Sequence, residues 1–350
     1  MLEAGAVITL EADSYRLREA LAGSAYGVVW CADILPAGRQ VVLKLINRQQ
    51  MARAHPGQRD RWIASAHKEI AFLRSLEPWD QRHIVRLLDS GVHEGLPVMA
   101  LEMLDGDLGK HVARERDAGR AIDFAQALDW LAQVNQALAK VHQYGWRYLD
   151  LKPSNVLFDA RRASVKLADF GTNRLLGDRD PHSYAGTANW QAPEQFFPAA
   201  GHAYLTDARS DYFALGAMFY YLATGGLPLR FCSDCGQAYR ASQASGAALL
   251  RERHGGAIPP TLRDDEAALF VQRIESGGAQ ELTWCPAGGA GVSGSAVALT
   301  LLRTLLSIDP DERPQHAIAI SRMIADVRAA MRGAPPAPPA AIIPARWSYA

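Results

Sequence analysis

Four side chains near the middle of the chain could do chemistry together. Asp150, Lys152 and Asn155 stand in GWRYLDLKPSNVLF at the spacing D-x-K-x-x-N, and Asp169 follows nineteen residues after Asp150 in VKLADFG. An acid, a lysine, an amide and a second acid at these intervals suit metal-assisted phosphoryl transfer. A carboxylate such as Asp150 can take the proton of an attacking hydroxyl, and Lys152 can neutralise charge on the moving group. Asn155 and Asp169 offer the oxygen ligands that magnesium prefers. Each short pattern is weak alone, since an Asp five residues before an Asn is common by chance. The reading therefore depends on the elements that must position these residues.

Composition sets the bounds. The chain has 350 residues, 49% hydrophobic and 21% charged, enough for one two-lobed domain or two ordinary ones. Its formal net charge is zero, with 37 basic and 37 acidic side chains, so no basic surplus points to nucleic acid or an anionic membrane. Four cysteines at this length do not make a disulfide framework. The start, MLEAGAVITLEADS, carries acids early and makes a poor secretory signal. The longest apolar run, Tyr212 to Leu229, contains Gly216, Gly225, Gly226 and Pro228. It reads as a buried core helix rather than a membrane span. The expectation is a soluble, cytoplasmic protein.

Leu10 to Ile34 reads as strand, turn, strand around LAGSAYGVV (Leu21 to Val29). Val41 to Leu45 is an apolar run with Lys44 inside it. A helix is expected from about Arg59 to Leu76, with Trp62, Ala66, Leu73 and Leu76 on one face and Glu69 among them. A carboxylate on a buried stripe needs a cation, and Lys44 is the candidate; otherwise Glu69 borders the stripe and is solvated. Val98 to Leu104 reads as a strand, and Phe124 to His142 as an amphipathic helix with Leu128, Leu131, Val134, Leu138 and Val141 on its stripe. A polar stretch after Asp169 runs to Trp190 and ends in Gln191-Ala192-Pro193-Glu194. Asp211 opens the apolar run and could serve as its N-cap. Stripes Val297/Leu301/Leu305/Ile308 and Ile320/Ile324/Val327/Met331 predict two more packed helices.

In this order the elements resemble those of eukaryotic-type (Hanks-type) serine/threonine protein kinases over about residues 15 to 332. The resemblance implies an α+β, two-lobed fold: a small β-rich lobe over about 15–104 and a larger helical lobe over about 105–332. It implies ATP and magnesium as cofactors, a protein substrate, Asp150 and Lys152 as catalytic residues, and Asn155 and Asp169 as magnesium ligands. The family's G-x-G-x-x-G-x-V loop falls on Ala22, Gly23, Ser24, Gly27 and Val29, where only Gly27 and Val29 match the pattern. Lys44 and Glu69 fall on the strand-lysine and helix-glutamate pair. Leu101 falls on the residue behind the adenine pocket, and Glu102 and Met103 on the hinge that offers backbone groups to adenine. Val42 and Leu157 complete the implied nucleotide site. Glu194 and Arg313 fall on a structural ion pair, Asp211 on an acid that bonds the catalytic-loop backbone, and Thr187 on a hydroxyl that bonds the catalytic acid and lysine. Lys152 favours serine/threonine over tyrosine as the acceptor.

Departures keep alternatives open. The degraded glycine loop and Tyr148-Leu149-Asp150, where the family has His-Arg-Asp, also suit a nucleotide-binding pseudokinase scaffold. A small-molecule kinase is a third reading. Leu149 replaces an arginine that, in the family, meets a phosphate on the activation segment. It therefore implies activity without phosphorylation at Ser183 or Tyr184, unless Arg174 or Arg179 supplies the missing cation. An insert over about 227–294 holds Cys232 and Cys235 in C-x-x-C-G, a pattern that can form a zinc knuckle, with Cys285 as a third ligand and His254 or His202 as a fourth. Two ordinary cysteines are the other reading. Residues 1–14 read as an N-terminal extension and 333–350 as a Pro/Ala-rich tail; the insert or the tail could dock a partner.

Overall fold

Alternation of buried and outward residues builds the N-terminal sheet. In the computed structural model, which describes residues 2–23, 27–178, 186–198, 204–277 and 293–333, the strands are β1 (Val7–Thr9), β2 (Ser14–Gly23), β3 (Gly27–Leu35), β4 (Gln40–Ile46), β5 (Leu87–His93) and β6 (Leu96–Glu102). They form one antiparallel sheet in the order β1-β2-β3-β4-β6-β5. On β4, Val41, Leu43 and Leu45 are buried in a small cluster with Ile8, Tyr15, Leu17 and Ala32. Period-two geometry therefore turns Val42 and Lys44 to the opposite face.

Residues before 15 belong to this sheet through β1. The buried carboxylate of Asp89 accepts bonds from the N–H groups of Ala12 and Asp13 and from the Tyr15 hydroxyl at 2.9–3.2 Å. Gly91 allows the approach of the preceding turn, because a Cβ there would lie 3.2 Å from Leu10 Cα.

Between β4 and β5 come a short helix, α1 (Arg48–Arg53), and the long helix α2 (Pro56–Ser75), started by Pro56 at its first position. Only the second half of α2 is deeply buried, at Glu69, Ile70, Phe72 and Leu73.

The rest is helical, with short ribbons where the chemistry sits. α3 (Leu108–Asp117) and α4 (Phe124–Gln143) precede β7 (Trp146–Arg147), β8 (Val156–Asp159), β9 (Ser164–Leu167) and β10 (Arg174–Leu175). β8 pairs with β9, and β7 with β10. All five stripe residues of α4 are buried. Next come α5 (Pro193–Phe196), α6 (Ala208–Ala223), α7 (Arg230–Ser242), α8 (Gly246–Arg253), α9 (Asp264–Gly277), α10 (Gly294–Leu305) and α11 (Ala317–Met331). α6 is buried nearly all round, as its unbroken apolar run predicts. No helix among the described residues is long and apolar enough to cross a membrane.

Three expectations are corrected. Asp207, not Asp211, caps α6, accepting from the N–H of Arg209. Ile308 lies beyond the end of α10 and is exposed. The zinc knuckle is not formed: Cys232 and Cys235 lie on the continuous helix α7, and both are buried among apolar side chains. Burial pushes the Cys232 thiol up to about 12 and the Cys235 thiol higher still. His254 ends α8, Cys285 and His202 lie outside the described residues, and no cluster of three metal-ligating side chains occurs among those described.

Candidate active site

Two constellations face each other at the junction of sheet and helices. The first is built on Lys44. Its Nζ lies 2.9 and 2.7 Å from the carboxylate oxygens of Glu69 on α2, and 2.8 Å from Asp169 Oδ1. Burial pushes the Lys44 ammonium toward deprotonation, but the Asp169 and Glu69 charges outweigh it and hold the proton. Lys44 in turn holds the Asp169 carboxyl below its ordinary range. Glu69 Oε1 also accepts the Phe170 N–H at 3.1 Å, and the Phe170 ring packs on Phe72 of α2 at 4.7 Å. Helix, strand and the Asp169-Phe170-Gly171 turn are thereby fixed to one another. Of the two readings of Glu69, the buried, paired one is correct.

The second constellation surrounds Asp150. Lys152 Nζ donates to Asp150 Oδ2 at 2.8 Å and to Thr187 Oγ1 at 2.7 Å. The Thr187 hydroxyl donates to Asp150 Oδ1 at 2.7 Å, closing a ring of three. Asn155 donates its amide to the backbone oxygen and Oδ2 of Asp150, both at 3.0 Å. Burial pushes the Asp150 carboxyl up, against the pull of Lys152 and Thr187. A carboxylate made more basic in this way is suited to accept a proton.

The loop that carries Asp150 is strained and held from several sides. Leu149 has φ +66°, a left-handed value costly for its side chain, and Asp169 has φ +62°, in a region aspartate enters more readily. Asp211 accepts the N–H groups of Tyr148 at 2.8 Å and Leu149 at 2.6 Å, while His142 bonds its Oδ2 at 2.8 Å. Gln195 donates to the Leu149 oxygen at 3.0 Å. Gly186, at φ +98°, passes so close that a Cβ would stand 2.6 Å from that same oxygen. The Tyr148 hydroxyl donates to the Ala168 oxygen, joining the loop to the Asp169 turn.

The remaining expected residues fall around these two groups. Gly23 and Ala22 sit opposite Val28 and Val29 across the β2–β3 hairpin, and Val29 opposite Lys44. Ser24 lies outside the described residues, as do Arg179, Ser183, Tyr184 and residues 334–350. Val42 and Leu157 are partly buried on the large core, and Leu101 is buried at the end of β6. Met103 is exposed. Glu102 spends its N–H on the Arg86 oxygen, and its carboxylate takes Lys166 Nζ at 2.6 Å. Glu194 meets Arg313 through two bonds of 2.7 and 2.9 Å, with the Arg313 side chain fully buried.

Several participants carry no clear mark in the sequence. Ser65 on α2 donates to the Gly171 oxygen at 2.6 Å, and Lys68 to the Asn173 oxygen at 2.8 Å. Gln195, His142 and the buried Arg147 also act on the loop. An arginine between the aromatic residues Trp146 and Tyr148 is the one available signal. On α7, Gly236 lies directly against Asn189, beside Thr187, and Arg240 bonds the Asn189 side chain at 3.1 Å. The insert thus backs the turn that presents Thr187.

Comparison with known proteins agrees with this geometry. Residues 15–323 match the protein kinase domain. The chain is 29% identical over 230 residues to the serine/threonine-protein kinase Pkn1 of Myxococcus xanthus, covering 63% of this chain and 30% of that protein. It is 30% identical over 237 residues to the serine/threonine-protein kinase PknB of Mycolicibacterium smegmatis, covering 65% and 35%. Against cyclin-dependent kinase 20 of Danio rerio it is 27% identical over 210 residues, covering 59% and 56%. The matches thus take in between 30% and 56% of these relatives' lengths. By sequence match, lobe architecture and the order of its site residues, this chain belongs to the protein kinase family.

Proposed function

We propose that this protein is an active ATP-dependent serine/threonine kinase that transfers the γ-phosphoryl group to hydroxyls of protein substrates. The ring of Asp150, Lys152 and Thr187 carries the reading, because it sets a basic carboxylate and a cation where an incoming hydroxyl must be deprotonated. Asp150 takes the hydroxyl proton as the oxygen attacks the γ-phosphorus, and the bond to the bridging oxygen of ADP breaks. Lys152 offsets charge on the phosphoryl oxygens. Lys44, held by Glu69, orients the nucleotide phosphates.

Asp169 has one carboxylate oxygen on Lys44, and Asn155 spends its amide nitrogen on Asp150. The other Asp169 oxygen and the Asn155 amide oxygen are hard donors that fit magnesium, which when bound supplies charge neutralisation at the phosphates. Radiolabelled phosphate transfer from ATP to a generic basic protein tests the reading. Wild type should label the substrate on serine or threonine, and Asp169→Asn should not. Nucleotide binding by wild type without any transfer would favour the scaffold reading instead.

A further inference from the structure

Two arginines meet where the catalytic loop begins. β7 and β10 pair with Arg147 directly opposite Arg174. Directly opposed like charges on an antiparallel ladder repel. One of them, Arg147, is also among the largest fully buried side chains, only 1% exposed. Burial and the Arg174 charge both push the Arg147 guanidinium toward losing its proton, and Asp178 chiefly pushes it back, with Asp211 and Asp207 behind it. Lys68 on α2 adds a third cation nearby, its proton loosened by burial and by Arg174.

Asp178 answers both arginines. Its carboxylate accepts Arg174 at 2.7 Å, and its backbone oxygen accepts Arg147 at 2.9 Å. It is held there by its own N–H, which donates to the Leu175 oxygen at 3.2 Å, and by the Leu176 N–H, which donates to the Gly145 oxygen at 2.8 Å. Arg147 stands three residues before Asp150, and Arg174 five after Asp169. One residue, through its carboxylate to Arg174 and its backbone oxygen to Arg147, therefore ties together the two stretches that aim the two key acids. Leu149, buried beside them, offers no charge of its own.

We propose that Arg147, Arg174 and Asp178 form a charge clamp in which the Asp178 carboxylate answers Arg174 within the segment and so fixes the Asp178 backbone oxygen on Arg147, holding the segment against the catalytic loop, so that the unmodified chain is already competent. The inference rests on the kinase reading, and it makes these three positioning residues for Asp150 and Asp169.

The test uses the full chain expressed with a phosphatase, with residues 171–194 shown to be unmodified by mass spectrometry. Initial transfer rates, KM for ATP and hydrogen exchange over 145–150 and 171–178 are then measured. Asp178→Asn should lower kcat about tenfold, the rate equivalent of one charge-assisted hydrogen bond, with KM for ATP nearly unchanged. Exchange should rise in both stretches. Asp178→Glu should restore both readouts. Arg174→Gln placed on Asp178→Asn should recover part of the rate by removing the unanswered cation, which general loss of stability would not do. Wild-type kcat and exchange in Asp178→Asn would overturn the clamp, as would a wild-type lag abolished by autophosphorylation. If wild type transfers no phosphate at all, the kinase reading fails, and the exchange comparison alone decides the clamp.

Discussion

Removing Glu194 should destabilise the protein less than removing Arg313, although the two form one ion pair. Arg313 is 2% exposed, and its guanidinium makes two bonds to Glu194 and three to the backbone oxygens of Ser307, Arg209 and Ile308, at 2.7–3.2 Å. Breaking a buried pair costs about 3–5 kcal/mol, mostly because the surviving charge is stranded. In Glu194→Ala the stranded arginine keeps its three carbonyl acceptors, so the loss should fall near the lower end, about 3 kcal/mol. Arg313→Ala also deletes the contact of the cation with the Phe213 ring at 5.1 Å and empties a fully buried volume. Its loss should reach about 5 kcal/mol. The surviving Glu194 keeps Ser210 as a donor at 2.7 Å and has some access to water. Urea unfolding of both single variants and of the double variant measures the losses and the coupling. Equal losses, or a Glu194→Ala loss under about 0.5 kcal/mol, would refute the reasoning, because a pair worth so little behaves as a surface pair.

Three further outcomes are expected. Asp150→Ala should cut transfer by roughly 10²–10⁴ while nucleotide binding persists, whereas Asp169→Ala should also weaken magnesium-dependent nucleotide binding; titration with a fluorescent nucleotide separates them. Burial raises the Asp150 carboxyl, so the rate should fall with acid at a higher pH than for an ordinary aspartate; Lys152 pulls the carboxyl down, so Lys152→Met should move that limb to still higher pH, and an unmoved limb in the kcat/KM profile would count against Asp150 as the base. Gly236→Ala would drive a methyl into Asn189 and disturb the turn that presents Thr187 to Asp150 and Lys152, so it should lower kcat with KM for ATP nearly unchanged, measured by steady-state kinetics.

The candidate site residues are the most legible part of the chain, since phosphoryl-transfer chemistry would restrict both their types and their order. Periodicity sets Glu69 on a stripe that calls for a cation, the resemblance names Lys44 as that cation, and the structure joins them. Legibility ends where two geometries share a spacing. C-x-x-C suits a knuckle, but positions three apart also share one face of a helix, and burial in the core decides for the helix. Asp211 reads both as a helix cap and, by the resemblance, as a partner of the catalytic loop; the path of the backbone keeps the second role and gives the cap to Asp207. Arg147 and Arg174 meet through a ribbon of two residues per strand, too short to leave any periodicity.

The knot around Asp89 separates two kinds of boundary. Similarity to other kinases begins at residue 15, yet Asp89 takes hydrogen bonds from residues 12 and 13, and the Arg74 side chain at the end of α2 reaches Glu11 at 2.5 Å and Ser90 at 2.7 Å. Evolutionary kinship and mechanical unity thus part company over a dozen residues. A chain cut at the edge of kinship would strip the Asp89 carboxylate of its donors from residues 12 and 13 and leave it the Tyr15 hydroxyl and the Ser90 N–H. The same cut would take Glu11 from Arg74, at the end of the helix that carries Glu69. What lies outside the shared pattern here is ballast for what lies inside it.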